Sequence, residues 1–190
     1  MTLKIRTALP LIWTLATALP LTASAVEYQQ IQADKSEITF AYQQMGVNMN
    51  GRFRQFSAQL RFDPADPASA QATVDVNLGS IDTGSSEADG EVKGKDWLNI
   101  AAFPGARFVS SGIKALGGDR YEITGQLSIK GQSRAISVPL TVVAQGNQAV
   151  FEGTFNFKRA DFAIGEGVWA DFGTVANEIQ VRFRMLASGT

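Results

Sequence analysis

The chain has 190 residues, with 17 Lys and Arg against 18 Asp and Glu, and it has neither histidine nor cysteine. The missing cysteine excludes disulfides, thiol nucleophiles and thiolate metal sites, and the missing histidine excludes a Ser-His-Asp triad and imidazole metal ligands. Because there is no basic excess, we expect no nucleic-acid partner, and the composition favours a binding protein over an enzyme.

Residues 1–25 have the pattern of a cleaved signal peptide. Two basic residues precede a mostly apolar stretch, and Ala23-Ser24-Ala25 supplies small residues at the spacing that a signal peptidase needs. The alternative is a membrane anchor, but two prolines make the apolar stretch a poor spanning helix. We expect an exported mature chain that begins at Val26 and forms a single domain over residues 26–190.

The mature chain alternates between apolar and polar residues, which predicts strands with one buried face. About eight strands are predicted, over residues 38–42, 53–62, 74–78, 106–111, 121–129, 136–142, 151–157 and 179–185. The apolar parity shifts between Phe53 and Phe56, which predicts a bulge or bend at Arg54 and Gln55.

Turn-forming residues separate several of these strands. Gly117-Gly118-Asp119, Lys130-Gly131-Gln132 and Gly146-Asn147 each predict a hairpin between antiparallel neighbours. The segment 85–102 differs, because its apolar residues have mixed helical spacing and Ser86 could cap a helix. We expect a short helix there that crosses one end of the sheet.

Eight antiparallel strands with one apolar face can close into a barrel or stack as two sheets. Small residues on the inward parity, Ala58, Gly125, Ala144 and Gly153, would leave space inside a barrel. They would equally well relieve crowding where strands curl, so the pattern alone leaves both architectures open.

Six motifs spread over the mature chain are similar to those of the YceI-like family of exported bacterial proteins. They are Phe62-Asp63-Pro64, Ser80-Ile81-Asp82-Thr83-Gly84, Phe103-Pro104, the stretch 125–131, the stretch 159–165 and Val175-Ala176-Asn177-Glu178-Ile179. The resemblance implies an all-β fold, an antiparallel eight-stranded lipocalin-like β-barrel with one short helix between strands. It also implies a periplasmic protein that binds polyisoprenoids. The chain departs from the family's common Arg-Asp-x-His-Leu pattern, since Ala88, Glu91 and Val92 stand in place of Arg, His and Leu.

We expect the ligand to be an amphiphile with a long apolar tail, a polyisoprenoid or an isoprenoid quinone. Burial of each five-carbon unit would contribute about 3 to 4 kcal/mol, so a few units would offset the cost of association. The inward parity predicts ten lining residues, and Trp97 and Trp169 are predicted at the rim. The ten are Phe40, Val76, Phe108, Ile123, Leu127, Val138, Phe155, Ile179, Val181 and Phe183.

We expect no catalytic residue, no metal and no cofactor other than the bound lipid. The expected partners are this lipid and, transiently, a membrane, and the protein is expected to be a monomer or a homodimer.

Two other functions stay open from the residues. Five carboxylates of one connecting segment would suit a hydrolase or a cation site, although their spacing fits no calcium loop and a solvated loop explains them better. They are Asp82, Glu87, Asp89, Glu91 and Asp96. A packed barrel whose loops bind a protein is the other alternative. We interpret Arg159 with Asp161 as a structural ion pair rather than a head-group clamp.

Overall fold

The computed structural model describes residues 26–189. The predicted signal peptide, residues 1–25, lies outside the described residues. Within the described part of the chain, no helix is long and apolar enough to span a bilayer.

The described residues form eleven strands and one α-helix, α1, which spans Ser86–Lys93. In chain order, the strands are β1 Tyr28–Ile31, β2 Glu37–Gln44, β3 Val47–Phe53, β4 Phe56–Arg61, β5 Gln71–Asn77, β6 Ile81–Asp82, β7 Gly105–Gly117, β8 Arg120–Ile129, β9 Gln132–Gln145, β10 Gln148–Lys158 and β11 Glu178–Gly189. Five short 3-10 turns lie at Ala33–Lys35, Pro67–Ser69, Leu78–Ser80, Arg159–Phe162 and Gly167–Ala170.

All strand pairs are antiparallel and belong to one curled sheet in the order β4-β5-β7-β8-β9-β10-β11-β2-β3-β6. Strand β1 pairs with β11 and also reaches the end of β4, where Tyr28 and Phe62 exchange backbone hydrogen bonds of 2.8 and 3.1 Å. This bridge joins the two sides of the curled sheet at one end. The predicted all-β lipocalin-like class is therefore confirmed.

The strand count is higher than the predicted eight. Strands β1 and β6 have four and two residues, so neither shows enough alternation to be recognised. Strand β3 carries two Asn and a Gly, residue types that are depleted in strands. The predicted strand 53–62 begins with the last residue of β3 and continues as β4 after a bend at Arg54 and Gln55, as the parity shift indicated.

The three predicted hairpins are present between β7 and β8, β8 and β9, and β9 and β10. At the second hairpin both turn residues, Lys130 and Gly131, have positive φ, +47° and +73°. Such a pair matches the twist of the flanking strands. Alternation in β9 is also as predicted, since Val138, Leu140 and Val142 are buried between exposed neighbours.

Buried residues form two apolar clusters. The first surrounds Tyr28, Phe62 and Phe151, whose rings meet edge to face with centroids 5.2 to 6.4 Å apart. The second contains Trp97 and Phe162 with residues of β7, β8 and the loop after β10. Residues of both clusters line one internal space.

Candidate ligand cavity

A cavity of about 600 Å³ occupies the interior of the curled sheet. This volume lies within the range of pockets that hold small organic ligands. Its walls are mostly aliphatic and aromatic side chains from the inward faces of the strands, and α1 and the loop after β10 supply the rest.

All twelve residues predicted from the sequence lie on the cavity wall. They are Phe40, Val76, Trp97, Phe108, Ile123, Leu127, Val138, Phe155, Trp169, Ile179, Val181 and Phe183. Parity therefore predicted the inward direction of the ten strand residues, and the contact of all twelve with a ligand stays a prediction. Tyr42, Leu78 and Ile136 share the inward parity of their predicted strands and were missed. Ile81 lies in the two-residue strand β6 and Thr83 follows it, where the sequence has no periodic signal.

Several inward side chains are only half-buried. Phe40, Phe155, Val181 and Phe183 point toward the interior, yet each keeps intermediate exposure. A close-packed core would bury such residues fully. Their exposed surface faces the cavity, so the interior is hollow.

Phenylalanine rings cover the inward glycines. A Cβ added at Gly125 would lie 2.5 Å from Phe108 Cζ, and one added at Gly153 would lie 2.5 Å from Phe183 Cζ. The expectation that these two glycines leave free space is therefore wrong, because a neighbouring ring already occupies it. Of the other small residues, Ala58 lines the cavity and Ala144 is exposed near the end of β9.

Helix α1 lies at an opening of the cavity. Ser85, Glu87 and Glu91 are exposed to solvent and also line the cavity. The N-cap lies one residue before the predicted one, since Ser85 caps the helix by accepting a hydrogen bond from the Ala88 amide, and Ser86 is the first helical residue. Gly94 ends it.

Two carboxylates of this segment are bonded to the protein. Asp89 Oδ1 accepts hydrogen bonds of 2.7 Å from both the amide and the hydroxyl of Thr83. Glu91 Oε1 accepts a 2.9 Å bond from Trp169 Nε1, which joins α1 to the loop after β10. The interpretation of these residues as members of a solvated loop is therefore wrong for Asp89, which is half-buried and held by Thr83, whereas Glu91 stays exposed while it accepts the bond from Trp169.

Asp82 lies at the edge between β3 and β6. Its Oδ2 is 2.8 Å from Arg52 Nε and 2.8 Å from Arg54 Nη2, and its Oδ1 accepts from the Gly84 amide. Hydrogen bonds from Arg54, Arg52 and that amide, in this order of effect, lower the pKa of Asp82 from 3.8 to about 2. Among residues 26–189, no three Asp or Glu side chains are grouped so as to hold a metal ion.

Arg159 is fully buried, with 0 % exposure, and does not pair with Asp161. Its five N–H groups donate to the carbonyls of Ile164, Gly165, Trp169, Val175 and Ala176 at 2.7 to 3.2 Å. Burial lowers the pKa of Arg159 from its ordinary value. The predicted ion pair of Arg159 with Asp161 is therefore wrong. The guanidinium binds backbone carbonyls of the loop after β10 instead, and it holds that loop in place.

Lys130 fixes the same loop from the β8–β9 hairpin. Its side chain is 6 % exposed, and Nζ donates to Ala163 O at 2.5 Å and to Glu166 Oε2 at 2.8 Å. Together, Lys130 and Arg159 hold the loop that carries Trp169.

The two predicted rim tryptophans are in contact, with ring centroids 5.4 Å apart. Trp169 is half-buried and bonded to Glu91, as suits a rim position. Trp97 is enclosed instead, with 7 % exposure, and its Nε1 has no hydrogen-bond partner among the described residues. An enclosed donor without a partner costs about 1 to 3 kcal/mol.

Comparison with known proteins places this architecture in a family. Residues 29–187 match the YceI-like domain. A UPF0312 protein of Azotobacter vinelandii is 30% identical over 151 residues, which cover 76% of this chain and 77% of that protein. The crystal structure of Burkholderia cenocepacia BcnA is similar, with a TM-score of 0.82 and 38% identity over 84% of this chain and all of that one.

A polyisoprenoid binding domain from Saccharophagus degradans has the same fold, with a TM-score of 0.67 and 14% identity over 87% of this chain and 99% of that one. The match of the family model over most of the chain confirms the resemblance found in the sequence motifs. The chain belongs to the YceI-like domain family.

Proposed function

We propose that the protein binds an amphiphile with a long apolar tail, a polyisoprenoid or an isoprenoid quinone, inside the cavity. The observation that carries this proposal is a cavity of about 600 Å³ whose inward aromatic and aliphatic walls remain half-exposed. A tail that covered these walls would remove apolar surface of both molecules from water. The similarity in fold to a polyisoprenoid binding domain supports the same ligand class.

The protein acts as a carrier or store and catalyses no reaction. In the acidic segment, Asp82 is neutralised by two arginines and Asp89 is held by Thr83. Neither carboxylate is arranged as half of an acid and base pair around a substrate. A binding role therefore accounts for these residues better than hydrolysis does.

Lipid extraction and mass spectrometry of the purified protein test the binding proposal. We expect a prenyl lipid close to one equivalent per chain. An empty protein that also fails to take up added prenol would contradict it.

The proposal places the protein in the periplasm after removal of residues 1–25. The support is the sequence pattern of a basic start, an apolar stretch and a small-residue cleavage site. N-terminal sequencing of periplasmic material is expected to begin at Val26. Recovery of the protein only from the membrane fraction with Met1 retained would refute this location.

Exposed apolar side chains near the cavity support a transient contact with a membrane. Met45, Val168 and Phe172 are 78%, 85% and 47% exposed, and Met45 and Val168 are sequence neighbours of cavity residues. The Met45 amide donates to Thr174 O, which brings the β2–β3 turn to the loop after β10. An amphiphile would thus meet an apolar rim as it leaves a bilayer.

Vesicle sedimentation tests this contact. The double change Val168→Ser with Met45→Ser is expected to reduce sedimentation with phosphatidylcholine vesicles by severalfold. Leu116→Ser is the matched control, since Leu116 is 44% exposed but lies at the far end of β7. Equal loss in both variants, or none in either, would contradict the proposed contact.

A further inference from the structure

The charged groups on the cavity wall are acidic at the opening beside α1. Three charged residues line the cavity, namely Glu87, Glu91 and Arg107. Arg107 is neutralised by Asp75, with 3.2 Å between Nη1 and Oδ1. Within residues 26–189, neither Glu87 nor Glu91 has a Lys or Arg nitrogen within 4.0 Å. The opening therefore carries two unneutralised carboxylates.

A third negative charge lies behind this opening. Asp89 lies between Glu87 and Glu91 on α1 and is held by Thr83, which also lines the cavity. Inside the cavity, the pKa of Tyr42 is raised, mainly by burial and further by the charge of Asp89. The charge of Asp89 thus acts on Tyr42, a side chain of the cavity wall.

The cavity wall offers hydrogen bonding of a restricted kind. Glu91 is fixed by one bond from Trp169 Nε1 to Oε1, and a carboxylate can accept more than one hydrogen bond. Trp97, on the same wall, contributes an enclosed N–H without a partner. The wall near α1 therefore combines carboxylate acceptors with uncharged donors, namely the hydroxyls of Tyr42 and Ser85 and the Trp97 N–H. Among the described residues, no Lys or Arg without an acidic partner lines it.

We propose that this opening selects the ligand's head group by charge. The inference rests on the proposed function and specifies its ligand class: a long-chain amphiphile whose polar end donates hydrogen bonds and carries no negative charge, an alcohol or an amine. A phosphate end is disfavoured, since it would lie beside carboxylates of its own sign. A hydroxyl can donate to Glu91 and accept from the uncharged donors of the wall, whereas an ammonium group can only donate, to the carboxylates.

Three probes with the same fifteen-carbon tail test the inference: farnesol, farnesylamine and farnesyl phosphate. Binding is measured in low salt by tryptophan fluorescence, because two of the chain's three tryptophans line the cavity. We expect the alcohol and the amine each to bind at least about tenfold more tightly than the phosphate. At 0.5 M salt the discrimination should shrink, because exposed charges are screened over a few ångströms.

The double variant Glu87→Gln with Glu91→Gln removes the charge and keeps side-chain size and an oxygen that can accept from Trp169. It should bind the phosphate about tenfold more tightly than the parent does, while farnesol affinity changes less than about threefold. Glu152→Gln is the matched control, since Glu152 is exposed on β10 beside Arg184 and outside the cavity wall. It should leave all three affinities unchanged.

The outcomes separate this inference from the proposed function. If none of the three probes binds, the proposed function fails and the inference falls with it. If all three bind equally, or the phosphate binds most tightly, the charge selection is refuted while lipid binding stands. The ranking in the parent protein and its salt dependence decide the question even if the double variant fails to fold.

Discussion

At the scale of single residues, the shape of the cavity depends on where three phenylalanine rings lie. Phe40, Phe108 and Phe183 cover Gly51, Gly125 and Gly153 on neighbouring strands. A ring that lies against a glycine extends along the wall instead of across the interior. Parity predicted that these side chains point inward, but it carries no information on their rotamers, so the covered glycines could not be recognised.

We expect Gly153→Ala to destabilise the protein by about 1 to 3 kcal/mol, because the new methyl group would overlap Phe183 and lie 3.0 Å from Pro139 O. The displaced ring would enter the cavity and weaken binding of a prenol. Urea unfolding and a prenol titration measure the two effects. Gly112→Ala is the strand control, since its Cβ would make an ordinary 3.7 Å contact with Thr124 Oγ1. Equal stability of the two variants would contradict the packing described for Phe183.

Arg159 has its partners in the loop that follows it and not in its sequence neighbour Asp161. All five carbonyls that it binds belong to the loop that follows it. The sequence shows a charged residue near an acidic one, and only the folded loop shows that the carbonyls replace the carboxylate as its partner.

Arg159→Met should cost roughly 3 kcal/mol or more of the free energy of unfolding, since it leaves buried carbonyls without donors. The loss should also release Trp169, which is expected to shift the tryptophan emission toward that of solvent-exposed indole. Chemical denaturation followed by fluorescence measures both changes. Arg182→Met, at an exposed position of β11, is the control and should change stability by less than about 0.5 kcal/mol. A change below about 1 kcal/mol for Arg159→Met would refute the proposed role.

At the scale of the elements, the long strands with regular apolar and polar alternation could be predicted from the sequence, and the shortest strands could not. Strands β8 to β11 have ten to fourteen residues each, and their alternation makes them recognisable. Strand β6 has two residues and is held by backbone pairing with β3 and by the Asp82 ion pairs. Such a strand forms because its partner is present, and no local pattern predicts it.

Asp82 should make the β3–β6 edge sensitive to acid. Its pKa is lowered to about 2 in the folded protein, so the ionised form stabilises the fold at pH values above the ordinary pKa. That contribution should be lost as the pH falls from about 4 through 2. Asp82→Asn is therefore expected to lower the urea midpoint at pH 7 and to have a diminishing effect toward pH 2. Asp161→Asn, at an exposed position, is the control. If the difference in urea midpoint between Asp82→Asn and the parent protein were the same at pH 2 as at pH 7, the assignment of the ion pairs would be contradicted.

At the scale of the whole molecule, a curled sheet encloses a hollow apolar interior with an acidic opening beside α1. Alternation predicted the lining, and the family resemblance predicted the lipocalin-like form. The solvated-loop interpretation of the acidic segment missed two contacts: Asp89 is held by Thr83, 6 residues away, and Glu91 by Trp169, 78 residues away. Local spacing could not show those contacts.

The central claim is that the interior accommodates a long apolar tail, and a series of prenols of ten, fifteen and twenty carbons tests it most directly. Each five-carbon unit buried should contribute up to about 3 to 4 kcal/mol, so we expect calorimetry to show an increase in affinity of about a hundredfold or more per unit. The increase should stop once the cavity is filled. An affinity that does not change with chain length, or no binding of any of the three prenols, would contradict the claim.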